Sequence, residues 1–150
     1  MLFRSASVHL AKFPERQETF YDNDVMSRWD DQLMPIRTSV LKVLETVRAK
    51  ETIGNALEAK VYIAANGDIG KLLTAYEPRL ADIFIVSQVE LGQPPSGAEI
   101  MEFETPSPHT VGVIRAEGKK CGRCWKWLPS VGQDPKHPEI CQHCTESLVS

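Results

Sequence analysis

Residues 121–144 read CGRCWKWLPSVGQDPKHPEICQHC. Cys121 and Cys124 form one Cys-x2-Cys knuckle, Cys141 and Cys144 form another, and sixteen residues separate them. A knuckle of this spacing brings two thiolates to one metal, and a hairpin of roughly 15–20 residues returns the second pair to the same point. Zn²⁺ takes four such ligands tetrahedrally and leaves no position open, so the pattern predicts a structural zinc site rather than a catalytic one. The chain has four cysteines in all, so none is left over. The competing reading is a pair of disulfides. It requires an oxidising compartment, and nothing in the chain resembles a secretory signal peptide. His137 and His143 lie inside the hairpin. Either can replace a thiol in a Cys₃His site, but four well-spaced cysteines favour a role for both away from the metal.

Outward from the knuckles, the charge distribution is uneven. Residues 1–60 carry nine basic and nine acidic side chains, residues 61–114 two and seven, and residues 115–150 six and four. The basic excess therefore lies beside the cysteines, in Arg115, Lys119, Lys120, Arg123 and Lys126. Part of it offsets the formal double negative charge of a zinc–thiolate centre, and the rest is available to phosphates. Trp125 and Trp127 interleave with these cations. On a β-strand, residues i and i+2 face the same side. One reading has the two rings packing over the metal. The other has them as a platform for an unstacked base, flanked by Arg123 and Lys126, and the expectation is one ring in each role.

The clearest helix spans 22–51. Val25, Trp29, Leu33, Ile36, Val40, Val43 or Leu44, and Val47 recur at steps of three and four. Asp22 or Asp24 can cap its start, and Gly54 is placed to supply the left-handed residue past its end. Pro35 is expected to kink the helix or split it near 31–34. The opposite face mixes Arg28, Arg37, Lys42 and Arg48 with Asp31 and Glu45, the pattern of plain solvated surface more often than of a nucleic-acid contact.

Further on, 57–65 reads as a strand and Asn66-Gly67-Asp68 as a turn, with Asp68 a candidate cap for a helix over about 69–81. The apolar run 83–89 reads as a buried strand, 93–97 as a proline-containing loop, and 99–104 and 111–116 as two more strands. Tyr76, Phe84 and Phe103 read as core, and His109 as surface. The fold class is α+β, with a long helix, a small mixed α/β unit and a four-cysteine zinc hairpin at the C-terminal end. No apolar run is long enough to span a membrane. The first fourteen residues lack acids and faintly resemble a mitochondrial presequence, but a strand or linker entering the helix is the better reading. No phosphate-binding loop, dinucleotide fingerprint or nucleophile elbow is present.

Two groups of residues carry a resemblance. Trp29, Leu33, Ile36-Arg37, Val40, Leu44-Glu45, Arg48, Lys50, Ile53-Gly54 and Leu57-Glu58-Ala59 form the first. The second comprises Lys120-Cys121-x-Arg123-Cys124-Trp125, Val131-Gly132, His137-Pro138-Glu139-Ile140 and Cys141-x2-Cys144. Together they resemble the C-terminal end of bacterial-type isoleucyl-tRNA synthetase, whose terminal zinc module is of a type shared with formamidopyrimidine-DNA glycosylases. Ser7-Val8-His9-Leu10 fits the segment before the helix, whereas Pro35 departs from the pattern.

The resemblance implies a division into 1–56, the end of an anticodon-binding helical domain, 57–117, a small α/β unit, and 118–150, the zinc module. It also implies a cytoplasmic protein with tRNA-Ile and the rest of the synthetase as partners. Lys119, Lys120, Arg123, Trp125, Lys126 and Trp127 are the expected RNA contacts. The family joins isoleucine to its tRNA with ATP, but its His-Ile-Gly-His and Lys-Met-Ser-Lys-Ser motifs are absent here. The chain is therefore expected to be inactive alone, with ATP used only by the full-length enzyme. The preceding helices of the bundle would cover the apolar stripe of 22–51, and the small α/β unit only its last turns. The alternatives are a free-standing nucleic-acid-binding zinc protein and a glycosylase-like tail. The latter is disfavoured by the long helix and by the lack of an N-terminal Pro-Glu.

Overall fold

The structure is a computed structural model, and it describes residues 15, 17, 19 and 21–149. The N-terminal stretch with its presequence-like composition and the segment 7–10 lie outside the described residues. The long helix is present, and its interruption falls where Pro35 places it. Helix α1 (Asn23–Arg28) passes into a π-helical turn (Trp29–Leu33) and then into α2 (Met34–Ala49). Pro35 has no N–H to give the carbonyl four residues back, and its ring crowds that carbonyl. Widening the turn just ahead of it removes the conflict, and the Met34 N–H reaches back five residues to the Trp29 carbonyl. Asp22 is the N-cap, its carboxylate accepting from the N–H groups of Asp24 and Val25.

The helix does not end as the sequence suggests. Glu51, not Gly54, takes the left-handed conformation, at φ 56°. The Thr52 N–H bonds to the Val47 carbonyl and the Glu51 N–H to that of Arg48, the paired bonds of a Schellman cap.

A four-stranded sheet follows, in the order β2-β1-β4-β3. Strand β1 (Ala59–Ala65) runs parallel to β2 (Gln88–Leu91), with helix α3 (Gly67–Ile83) as the crossover. It is antiparallel to β4 (His109–Arg115), which pairs in turn with β3 (Glu99–Phe103). The expected helix is longer than predicted: it begins at Gly67 with Asn66 as N-cap, so Asp68 lies in its first turn. The apolar run 83–89 is not one strand. Its first residues close α3 in a second Schellman cap, in which Ile85 takes φ 58° and the Val86 N–H bonds to the Ala81 carbonyl. Phe84 and Val86 are buried by that cap, and β2 starts only at Gln88. An apolar run signals burial, and here burial comes from a helix end as much as from a strand.

One core joins these elements. Ile36, Val40, Val43, Leu44 and Val47 of α2 and Ile69, Leu73 and Leu80 of α3 pack with Val61, Ile63, Val111 and Val113 of the sheet. Phe84 lies within this core, and Tyr76 and Phe103 pack against it. The α/β unit therefore covers α2 from its first turn, not merely its last ones, and Leu33 is already buried. The start of the stripe stays open: Val25 in α1 and Trp29, the first residue of the π-helical turn, are exposed, as are Tyr21 and Met26. No helix among the described residues is long and apolar enough to cross a membrane.

The C-terminal module consists of a two-stranded ribbon, β5 (Lys119–Lys120) with β6 (Trp127–Leu128), and helix α4 (Gln142–Val149). Gly118 opens the ribbon at φ 93°, and a Cβ there would lie 2.3 Å from the Leu128 carbonyl carbon. Only glycine meets both constraints.

Candidate metal centre and nucleic-acid interface

The two knuckles converge. The Sγ atoms of Cys121, Cys124, Cys141 and Cys144 all lie within 4.8 Å of one another. Cys121 and Cys144 are 3.8 Å apart through sulfur, as are Cys124 and Cys141. A regular tetrahedron with Zn–S of about 2.3 Å has edges of about 3.8 Å, so the four thiols already outline a zinc coordination shell. The same separations exclude a disulfide, whose sulfurs lie about 2.05 Å apart. Among the described residues neither His137 nor His143 joins the cluster. The donor set is that of a closed structural zinc site.

Local backbone geometry builds this shell. The Trp125 N–H bonds to the Cys121 carbonyl and closes the first knuckle, while the Cys121 N–H bonds to the Lys126 carbonyl. The Cys141 N–H donates to the Cys121 sulfur at 3.3 Å. Cys144 stands in the first turn of α4. Val131, Leu128 and Ile140 pack around the sulfurs.

Burial raises the Cys121 thiol, but the N–H groups of Cys124, Cys141 and Arg123 outweigh it and bring the pKa down to about 6. Burial, with the neighbouring thiols, pushes Cys124 up to about 12, and burial likewise raises Cys144. Backbone dipoles thus favour the Cys121 thiolate, whereas burial disfavours ionising Cys124 and Cys144, a cost that a cation among the sulfurs would offset.

Of the six expected RNA contacts, Lys119, Lys120, Arg123 and Trp125 are exposed, and Lys126 and Trp127 are half-buried. Trp125 is 61% exposed, and the Lys120 ammonium lies 5.7 Å from its ring centroid. Arg123, Lys126 and Trp127 also make contacts within the protein. Arg123 donates to the Cys144 carbonyl at 3.1 Å, Lys126 pairs with Asp82 at 2.5 Å, and the half-buried Trp127 ring lies 5.3 Å from the Arg115 guanidinium. The two tryptophans do not share a strand face, because Trp125 stands in the knuckle turn at φ 65° and Trp127 in β6. Neither ring belongs to the apolar cluster around the sulfurs. A positive φ is a conformational outlier for a residue as bulky as tryptophan.

His109 is not a surface residue. It is 4% exposed, its Nδ1 donates to the Ser107 carbonyl at 2.7 Å, and its ring stacks on Phe103. It borders a cleft of about 510 Å³ at the C-terminal ends of β1 and β2. Glu102 and Glu104 line that cleft and, among the described residues, no lysine or arginine does, a lining that does not favour phosphate.

Comparison with known proteins agrees with the metal geometry. Residues 118–146 match the zinc finger found in FPG and IleRS. Over 143 residues the chain is 40% identical to the isoleucine–tRNA ligase of Fervidobacterium nodosum and 38% identical to that of Geobacter sulfurreducens. Each match covers 95% of this chain and 15% of the relative. The isoleucine–tRNA ligase of Syntrophotalea carbinolica is 40% identical over 147 residues, covering 97% of this chain and 16% of the relative. The chain thus spans about 15% of the length of the curated relatives it matches.

Proposed function

Starting from a chain that is similar along nearly all its length to the C-terminal part of isoleucine–tRNA ligases, we propose that it serves tRNA recognition in such an enzyme, contacting the anticodon region of tRNA-Ile through its zinc module. The observation that carries this reading is Trp125. It is a large residue, 61% exposed at the metal knuckle, with Lys120 over its ring and Lys119 exposed next to Lys120 in the chain. A stacking surface next to cations is what an unpaired base and its phosphates require. The catalytic chemistry, joining isoleucine to tRNA with ATP, belongs in this reading to the rest of the synthetase. The open face of Tyr21, Val25, Met26 and Trp29 is the surface through which the helix joins the preceding helices. In this division the zinc module begins at residue 118 and the α/β unit at 57, with α2 packed into that unit.

Titrating the zinc-loaded chain with an anticodon stem-loop and with an acceptor minihelix tests the reading. Preferential binding of the stem-loop, weakening steeply with salt, is expected. Equal binding of both, or none at low salt, would overturn it. One observation favours the free-standing zinc protein instead: α2 finds its apolar partner in its own sheet. A chain that binds unrelated single strands as well as it binds tRNA would support that alternative.

A further inference from the structure

Trp127 joins the zinc module to the sheet through its backbone. Its N–H donates to the Ser87 hydroxyl at 2.6 Å, and that hydroxyl donates to the Leu57 carbonyl at 2.5 Å. Its carbonyl accepts from the Gln88 side-chain amide at 2.9 Å, and the same amide nitrogen donates to the Glu117 carbonyl at 2.8 Å. Both polar backbone groups of one residue in β6 are therefore held by two consecutive residues, Ser87 just before β2 and Gln88 at its start. Ser87 is buried, at 4% exposure, so neither bond exchanges readily with water. The Lys126–Asp82 pair and the Arg115–Trp127 contact also link the module to the α/β unit. The exposed platform residue, Trp125, is only two positions from Trp127.

We propose that Ser87 is a positioning residue. Through Trp127 it fixes the attitude of the zinc module against the sheet, so that Trp125 and Lys120 are presented to RNA in one orientation. This rests on the tRNA reading for its purpose but not for its geometry. Pre-orientation of a binding surface strengthens binding by reducing what must be ordered on contact. Ser87 touches neither metal nor RNA in this account. Its loss should leave zinc affinity and the salt slope unchanged while tRNA affinity falls.

The test compares the zinc-loaded wild-type chain with Ser87→Ala, Ser87→Thr and Gln88→Ala. ¹⁵N relaxation and residual dipolar couplings report whether the module and the sheet share one alignment tensor. Wild type and Ser87→Thr, which keeps the hydroxyl, should show one tensor. Ser87→Ala should show two, with zinc affinity within about two-fold of wild type and tRNA affinity down by about 3- to 10-fold. If Ser87→Ala does not fold, Gln88→Ala decides, because Gln88 is only half-buried and its loss removes two of the clasp bonds. A single tensor in the variant that folds would overturn the clasp. Two tensors with unchanged tRNA affinity would overturn its role in presenting the platform. Failure of the wild-type chain itself to bind tRNA would instead sink the tRNA reading, while the tensors still decide the clasp.

Discussion

Replacing Trp125 by glycine and by alanine separates two roles that a single substitution confounds. The residue sits at φ 65°. A left-handed conformation costs an L-residue about 1–2 kcal/mol, and glycine escapes it at about 0.5–1 kcal/mol of extra chain entropy. Glycine should therefore be the more stable variant by about 0.5–1 kcal/mol. The residue is 61% exposed and lies outside the cluster around the sulfurs, so little burial is lost with its ring. Its contact with Lys120, at an exposed site, is worth about 0.5–1 kcal/mol. Trp125→Gly should accordingly fold with nearly wild-type stability and full zinc affinity, and Trp125→Ala should be somewhat weaker. Both should lose about 1–3 kcal/mol of RNA binding if the ring stacks on a base, a factor of roughly 5 to 150. Zinc competition, thermal melts and titration with the anticodon stem-loop measure the three quantities. Loss of zinc, or of more than about 2 kcal/mol of stability, in both variants would make the ring structural and refute an exposed stacking role. That role is equally refuted if both keep full RNA affinity.

Other outcomes follow from the same geometry. Gly118→Ala should destabilise the ribbon by more than about 2 kcal/mol, since its Cβ would meet the Leu128 backbone and its φ is unfavourable. A melt that matches wild type would contradict this. Ile85→Gly should raise stability by up to about 1 kcal/mol, because an exposed β-branched residue is released from φ 58°; urea denaturation reads the sign. Leu33→Ala should cost about 2–5 kcal/mol and Val25→Ala less than about 0.5, by the same method, because only the first is buried. Equal costs would mean that the helix is covered along its whole length. Neutralising Lys119 or Lys120 singly should lower the slope of log affinity against log salt by about one unit, whereas an unchanged slope would remove that side chain from the interface.

What could be read from the sequence was what local spacing determines. The knuckles, the stripe of α2 and the Pro35 interruption are set by residues within a few turns of one another, and so were visible. The strand boundary at Gln88 was not, because the run from Ile83 carries burial without saying whether a helix cap or a strand supplies it. The helix end at Glu51 was hidden because a non-glycine residue takes the left-handed position and Gly54 offered the obvious decoy. Hidden likewise were the partners of the basic, aromatic stretch: Lys126 pairs with Asp82, and the Trp127 backbone bonds to the side chains of Ser87 and Gln88, some forty residues earlier. Partners that distant leave no local signal. The burial of His109 likewise depends on its stack with Phe103 across a hairpin.

In the proposed reading, zinc holds a tRNA-contacting surface on a domain that folds without it. This reading is tested most directly by following tRNA binding and amide protection together as zinc is stripped by a chelator and restored. Loss of metal should melt residues 118–147, since so short a segment has little core of its own, while the sheet and α2 stay protected. Binding of tRNA should disappear with the module and return with zinc. Undiminished tRNA affinity in the stripped protein, with the sheet intact and the module unfolded, would contradict the account.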